Sequence, residues 1–380
     1  IAVKPAVDCV EPVPHGGIVV LGVVFVVKVV FQIGVDLRAE AAFQSPAAHA
    51  PHLVFAHGEH QQNAVVLVLV AGLREVGVDP DSVNYEYAFH HYDDDRISGA
   101  IEYSYFLISE ILSRLTNDVH IIFVFYAFFG VMLKFKAFRK YLPDMWFLPV
   151  VLYLSFIYEL HEVTQIRTGI MSGLFLLAIQ PMADRQWIKS LLLISLGMFF
   201  HISAIALIPL VFLSNKEMSL KTRMFWTAVI PASYVFYFLG SILLVNIPIP
   251  YIENKLENYE KTSETMESSL NVFSPLHLFT IMLFLYLMYF YETIKEHNRY
   301  FPLMMKIFAI SIFSFTAFAF LPVLANRLSY LFRIVTIVLF CNIYYTIRPK
   351  WVAMLVVVLI ALVYMAYTFS YIFGIKLLPV

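Results

Sequence analysis

From residue 119 to residue 373 the chain alternates apolar runs with short connectors rich in lysine and arginine, and this alternation limits the fold more than any single motif. About 20 consecutive apolar residues match the thickness of a bilayer's hydrocarbon core. The runs read as helices at 119–133, 145–158, 169–182, 190–213, 224–246, 276–291, 303–322, 328–347 and 351–373, with AVVLVLVA (64–71) as the end of an earlier one. Composition agrees. Hydrophobic residues make up 60% and charged residues 14%, with a mean hydropathy of +0.76, where a soluble domain carries roughly a quarter charged residues. The 35 Phe and 23 Tyr suit helices packed in lipid with aromatic belts. The predicted fold is all-α, a polytopic membrane helix bundle with about 9–11 transmembrane helices. A formal net charge of −1 offers no electrostatic hold on nucleic acid.

The connectors orient the spans. KFKAFRK (134–140), ADRQWIK (183–189), NKEMSLKTR (215–223), KEHNR (295–299) and TIRPK (346–350) are basic, and basic connectors stay cytoplasmic. Between Lys189 and Lys216, however, lies a single helix's length, SLLLISLGMFFHISAIALIPLVFL. Two basic ends on one side require an even number of crossings, so this run is predicted to be broken or re-entrant, turning near Gly197–His201. Such backbone is tolerated in a membrane only inside protein or a wet cavity. The outer face then holds 72–118, the turn 159–168, the loop 247–275 and the turn 323–329.

Several outer residues point to chemistry. His201 in MFFHISA is an ionisable group deep in an apolar run, and such groups mark polar sites in membranes. It is the first choice for a catalytic or substrate-binding group; the bland reading is a satisfied core histidine. ELHEVTQIRTGIMSG (159–173) gathers Glu162, Gln165 and Arg167 before a helix whose Gly169 and Gly173 allow close packing. Arg167 alone reads as a snorkelling side chain, but its polar company favours a site. LANRLSYLFRIV (324–335) sets Asn326, Tyr330 and Arg333 on one helical face, with Arg327 beside them. Placing Arg333 two turns into a span costs up to about 2.5–3.5 kcal/mol on insertion scales, which an anionic ligand would offset, since a guanidinium grips phosphate bidentately. Arg74 would join these arginines at the outer mouth, followed by Asp79 and Asp81 in AGLREVGVDPDSVNYEYAF.

Other segments carry less. HHYDDD (90–95) has metal-ligand residue types at a spacing too compressed to define a site, so no metal is assigned. ISGAIEYSYFLISEILSRL (97–115) repeats apolar residues at helical spacing and reads as an interfacial helix. The Glu-rich stretch 248–275 reads as a solvated cover. Nucleotide-binding and zinc-protease signatures are absent from the sequence, so no cofactor is assigned. Cys9 and Cys341 do not suggest a disulfide. Residues 1–62 differ in kind, being rich in Val, Ala and His. They are read as an atypical region from a misassigned or out-of-frame start, the alternative being a valine-rich first helix. The main domain spans 63–380.

AGLREVGVDPDSVNYE, TQIRTGIMSGLFLLA followed by SLLLISLGMFFHISAIALIPLVFL, and NRLSYLF together resemble the EpsG family of bacterial membrane proteins, the Wzy-like polysaccharide polymerases. The resemblance runs from about Leu69 to the C-terminus in the same order; each element alone is weak, and the set is fairly specific. It implies a multi-pass protein of the bacterial inner membrane acting on its outer face. The implied reaction joins oligosaccharide repeat units carried on undecaprenyl diphosphate, as in O-antigen, capsule or exopolysaccharide synthesis, beside a flippase and a chain-length regulator. On that reading Arg74, Arg167, Arg327 and Arg333 cradle the diphosphate. His201, with Glu162 behind it, takes the acceptor's proton, and Gln165, Asp79, Asp81, Asn326 and Tyr330 contact substrate. Two rivals stand beside it. A membrane O-acyltransferase uses an intramembrane His but needs no arginine cluster; a lipid-linked oligosaccharide flippase needs polar residues along its whole path.

Overall fold

The computed structural model describes residues 63–79, 81–92, 102–143, 145, 147–244 and 270–373; the atypical region 1–62 and most of the 247–275 loop lie outside them. Every regular element described is helical: α1 (Asn63–Gly72), α2 (Ser82–His90), α3 (Tyr103–Ser113), α4 (His120–Tyr141), α5 (Phe147–Phe156), α6 (Ile166–Ala183), α7 (Trp187–Phe200), α8 (Leu220–Leu244), α9 (Pro275–Tyr289), α10 (Tyr291–Lys295), α11 (Phe301–Ala317), α12 (Pro322–Arg333), α13 (Thr336–Cys341) and α14 (Lys350–Phe373). The chain is thus an all-α bundle, as the apolar periodicity predicted.

Among the described residues, His120–Tyr141, Ile166–Ala183 and Lys350–Ser370 are long and apolar enough to cross a membrane unaided. α12 and the segment Thr336–Tyr345 are apolar enough only when taken together, and they are bent by 49° at the break between them. Six further apolar helices among the described residues are 10–17 residues long, short of the ~20 residues that a straight crossing needs. The residues 323–329, read as an outer turn, are the first turns of α12, started by Pro322 at a position where a missing N–H is harmless. KFKAFRK also differs from the reading. It continues α4 to Tyr141, so Arg139 and Lys140 face the negative end of the helix dipole, while Lys134 is wholly buried.

Two local breaks shape the bundle. Between α5 and α6 the residues Glu159–Thr164 form a π-helical turn, in which Gln165 N–H donates to Leu160 O at 2.7 Å. Between α7 and the 3₁₀ helix Ile202–Phe212 the chain stops at His201, whose φ of −153° and ψ of 123° are extended. The arms are 14 and 11 residues long, so at 1.5 and 2.0 Å per residue each measures about 21–22 Å. Trp187 and Phe212, at the far ends of the two arms, have ring centroids 6.1 Å apart. The run therefore breaks at His201 and folds back on itself as a helical hairpin with that residue at its tip, the break that the even-crossing argument predicted.

The five basic connectors meet at one end of the bundle. Arg299 pairs with Asp184, Lys295 with Glu217 at 2.7 Å, and Arg223 with Glu292 at 3.0 Å. Tyr141 packs on Tyr300 at 5.0 Å, and His297 stacks on Tyr345 at 4.2 Å. The starts of α6 and the tip of the hairpin lie at the opposite end, because each element has its other end among these connectors.

A second, smaller core sits at that opposite end. Tyr85, Phe89, Tyr105, Ile108, Phe123, Tyr126, Ile166 and Ile170 bury one another. Tyr105 stacks between Tyr85 at 5.6 Å and Tyr126 at 6.0 Å, and its hydroxyl donates to Tyr85 O at 2.7 Å. The α3 face expected to lie along the membrane interface is thus turned inward, with Tyr105 1% exposed and only Leu115 at its end left out, at 73%. Tyr103 packs on Phe199 at 6.2 Å, which sets the start of α3 against the hairpin tip.

Candidate functional site

At the end opposite the basic connectors the bundle opens into a cavity of about 460 Å³. The π-helical turn and α6 supply Thr164, Gln165 and Thr168; the hairpin tip supplies His201 and Ser203; α12 supplies Asn326, Arg327, Tyr330 and Arg333. Its lower wall is apolar, with Phe156 from α5, Leu276 from α9 and Tyr364 from α14. Six of the residues singled out in the sequence therefore share one wall: Gln165, His201, Asn326, Arg327, Tyr330 and Arg333.

The helix ends explain the grouping. The π turn adds a residue to the approach to α6; of its residues Leu160 and Thr164 line the cavity, while His161, Glu162 and Val163 are buried in the bundle. The extended backbone at His201 frees its ring from helical packing. The α12 face that carries Asn326, Tyr330 and Arg333 is the one turned inward, and Arg333 stacks its guanidinium 5.2 Å from the Tyr330 ring centroid.

Arg167 stands beside the cavity. It pairs with Glu102, the residue that precedes α3, and lies 5.6 Å over the Tyr85 ring. The second oxygen of Glu102 is 3.0 Å from His201 Nδ1. Asp81 lies near these arginines, outside the cavity lining. Burial first, then the neighbouring Asp79 carboxylate, raise its carboxyl above the ordinary aspartate range, while Arg167 and Arg327 oppose the shift. Both arginines are therefore close enough to act on the same carboxyl. Among the described residues no carboxylate pairs with Arg327 or Arg333, and Arg333 Nε is buried without a hydrogen-bond partner.

Three expected site residues lie elsewhere. Arg74 is engaged in the protein: Nε donates to Asp79 Oδ2 at 2.9 Å, its terminal nitrogens donate to Ala71 O and Val163 O at 2.6 Å, and Phe123 covers it at 4.0 Å. Its side chain is 2% exposed and does not line the cavity. Asp79 spends its other oxygen on Ser82 N–H and Asp81 N–H, at 3.0 and 3.1 Å, capping α2. These two residues fasten the outer segment to the π turn and do not line the cavity. Glu162 is also not behind His201. It is fully buried between α4, α5 and α6, where Oε1 accepts from Lys134 Nζ at 2.5 Å and Tyr153 OH at 2.7 Å. Gly169 keeps this space open, since a Cβ there would stand 2.5 Å from His161 O and 2.7 Å from Glu162 Oε2. Gly173 does the same for α4, where a Cβ would lie 2.7 Å from Leu133 Cβ.

Sequence reasoning missed Glu102 and Lys134. Glu102 was one polar residue in an apparently interfacial stripe, and Lys134 was the first of a basic run. Neither has a local spacing that marks it; both acquire partners from remote helices. Among the described residues no group of three or more His, Cys, Asp or Glu is placed to hold a metal ion, and Asp93, Asp94 and Asp95 of HHYDDD lie outside the described residues.

No curated protein and no solved structure gives a significant match to the chain. The EpsG family model matches residues 64–379, which covers the whole described bundle together with its two helix breaks and its arginine-lined cavity. This chain is a member of the EpsG family, and its general role is that of a polysaccharide-polymerase-type membrane protein.

Proposed function

We propose that the protein is a glycosyltransferase-type polymerase of the bacterial inner membrane, joining oligosaccharide repeat units carried on undecaprenyl diphosphate at the outer face. The observation that carries the reading is the pair Arg327 and Arg333. Both line one cavity, neither pairs with a carboxylate among the described residues, and a buried Arg333 donor lacks a partner. A buried guanidinium without a carboxylate partner, as at Arg333, is costly in a membrane unless an anion joins it, and Arg327 adds an exposed positive charge at the same cavity. Arg167, held at the rim through Glu102, adds positive potential at the same mouth. The apolar lower wall suits a lipid carrier, and the position opposite the basic connectors suits an outer-face site.

In the proposed reaction an acceptor sugar hydroxyl attacks the anomeric carbon of the donor. The new C–O bond forms as the bond to the diphosphate oxygen breaks, and the lipid diphosphate leaves with the electron pair. Arg327 and Arg333 stabilise that developing charge, which is the chief requirement for a good leaving group. His201 takes the proton released by the hydroxyl. Gln165, Asn326 and Tyr330 contribute sugar hydrogen bonds. Asp81 lies close enough to the arginines to guide a sugar rather than a phosphate.

The test is the glycan of a deletion strain complemented with Arg333→Ala, Arg327→Ala or the corresponding lysine variants. Accumulated single-repeat glycolipid with both alanine variants is expected, and lysine should not restore a bidentate contact. Full-length polymer with both alanine variants overturns the reading. Long but unmodified polymer in the deletion strain would instead point to acyl transfer.

A further inference from the structure

Glu102 is unusual among the carboxylates of the outer end because its two oxygens serve two different cationic or ionisable partners. Oε1 lies 3.0 Å from His201 Nδ1, and Oε2 pairs with Arg167. The side chain is 19% exposed. It is also held from behind. Glu102 immediately precedes α3, whose Tyr105 is clamped between Tyr85 and Tyr126 and whose Tyr103 packs on Phe199 of the hairpin. A surface ion pair on a long side chain has no such support.

The geometry points to Glu102 as a positioning residue for His201. The imidazole needs one, because the hairpin tip offers the ring little else. One other group contacts Nδ1, the Ser203 N–H at 3.5 Å, and that contact would require Nδ1 to be the unprotonated nitrogen. The carboxylate requires the reverse. The carboxylate approaches Nδ1 to 3.0 Å, whereas the Ser203 N–H sits at the limit of hydrogen-bonding distance, so we assign the hydrogen to Nδ1, on the side of Glu102. Nε2 is then left as the proton acceptor, and its residue lines the cavity.

The same contact acts during turnover. When Nε2 takes the hydroxyl proton the ring becomes an imidazolium, and Glu102 sits where that charge forms. Arg167 holds the carboxylate through its other oxygen. Arg167 thereby acts on the base through Glu102 as well as on the mouth of the site. This inference rests on the polymerase reading and on His201 as its base.

The experiment uses full-length protein in lipid nanodiscs with lipid-diphosphate-linked single repeats as donor and acceptor, and follows chain extension against pH. Glu102→Gln keeps the size of the side chain and removes its charge. Its kcat is expected to fall about 100-fold or more, with KM within about twofold, because the carboxylate acts on the base and not on substrate binding. The acid limb of the rate profile should move to lower pH, since the imidazolium loses its counter-charge while Arg167 remains. Glu102→Asp should recover part of the rate. The double variant Glu102→Gln/His201→Ala should be no slower than His201→Ala alone. Wild-type rate with an unmoved acid limb in Glu102→Gln, a loss confined to KM, or multiplicative losses in the double variant would each overturn the inference while leaving the polymerase reading standing. If Glu102→Gln does not fold, the rate and acid limb of Glu102→Asp decide. Wild-type protein that extends no chain overturns the polymerase reading and this inference with it.

Discussion

Lys134→Met is expected to destabilise the bundle by about 3–5 kcal/mol, the cost of stranding one member of a buried ion pair. The local arithmetic supports the upper part of that range. Lys134 and Glu162 are both 0% exposed, the ion pair is 2.5 Å long, and Lys134 Nζ also donates to Gly169 O at 2.6 Å. Without the ammonium, Glu162 keeps Tyr153 as its one remaining side-chain donor, and Gly169 O loses its partner. A methionine fills the volume but supplies no hydrogen bond. In equilibrium terms the loss is roughly 10²- to several 10³-fold in the folding equilibrium constant. Lys134→Met/Glu162→Gln removes both charges, so it should recover most of the loss. The assay is reversible unfolding in mixed micelles, read as a double-mutant cycle with thermal midpoints as a check. The pair also fixes the π turn against α4, so the single variant should lose polymerisation in proportion to folded protein rather than by a change in pH dependence. A cost below about 1 kcal/mol for Lys134→Met, or a double variant worse than either single one, would refute the reasoning.

Four further outcomes are expected. Gly130→Ala forces a Cβ into Glu162, whose Cδ would lie 2.9 Å away; it should cost about 1–3 kcal/mol in wild type and much less in a Glu162→Ala background, by the same unfolding assay. Arg74→Ala should lower the thermal midpoint while leaving KM for the lipid-linked repeat unchanged in the folded fraction, because Arg74 is consumed by Asp79 and two carbonyls; a raised KM would return it to the substrate site. Single cysteines at Lys189, in the first arm of the hairpin, and Asn215, just beyond the end of the second, should react with an impermeant thiol reagent from the same side of the membrane, and labelling from opposite sides would exclude re-entry. Asp81 has its carboxyl raised by burial and by Asp79, so the neutral form is the better fit. Its favourable contribution is complete below the ordinary aspartate range and is lost as pH rises through the raised value. Asp81→Asn should therefore be the more stable protein at neutral pH, with the advantage fading in acid; a thermal midpoint difference that does not change with pH would contradict this.

The relation between sequence and structure differs from residue to residue. That the basic connectors share one end of the bundle was legible because it rests on the solvation of charge: lysines and arginines in connectors cannot be buried cheaply, so connectors from remote helices had to share a surface. The hairpin was legible for the same reason, as a parity conflict between two basic ends. Asn326, Tyr330 and Arg333 could be placed on one face because helical periodicity is local. Arg74 and Glu162 were misread because a charged residue next to a membrane helix looks the same whether it awaits a ligand or is already paired. Deciding between those requires the partner, and Val163 O, Asp79 and Lys134 belong to segments that meet in space.

What the chain's own residues determined, then, was its solvent, its helical class and the end of the bundle at which a polar site must lie, because each follows from the transfer cost of single side chains and from the helical repeat. What only the tertiary structure decided was which charges are satisfied. It took the packing of α3 against the hairpin to bring Glu102 to His201, and the packing of α4, α5 and α6 to remove Glu162 from the site. Pairing depends on distances of a few ångströms between helices, and no property of an isolated segment carries that information.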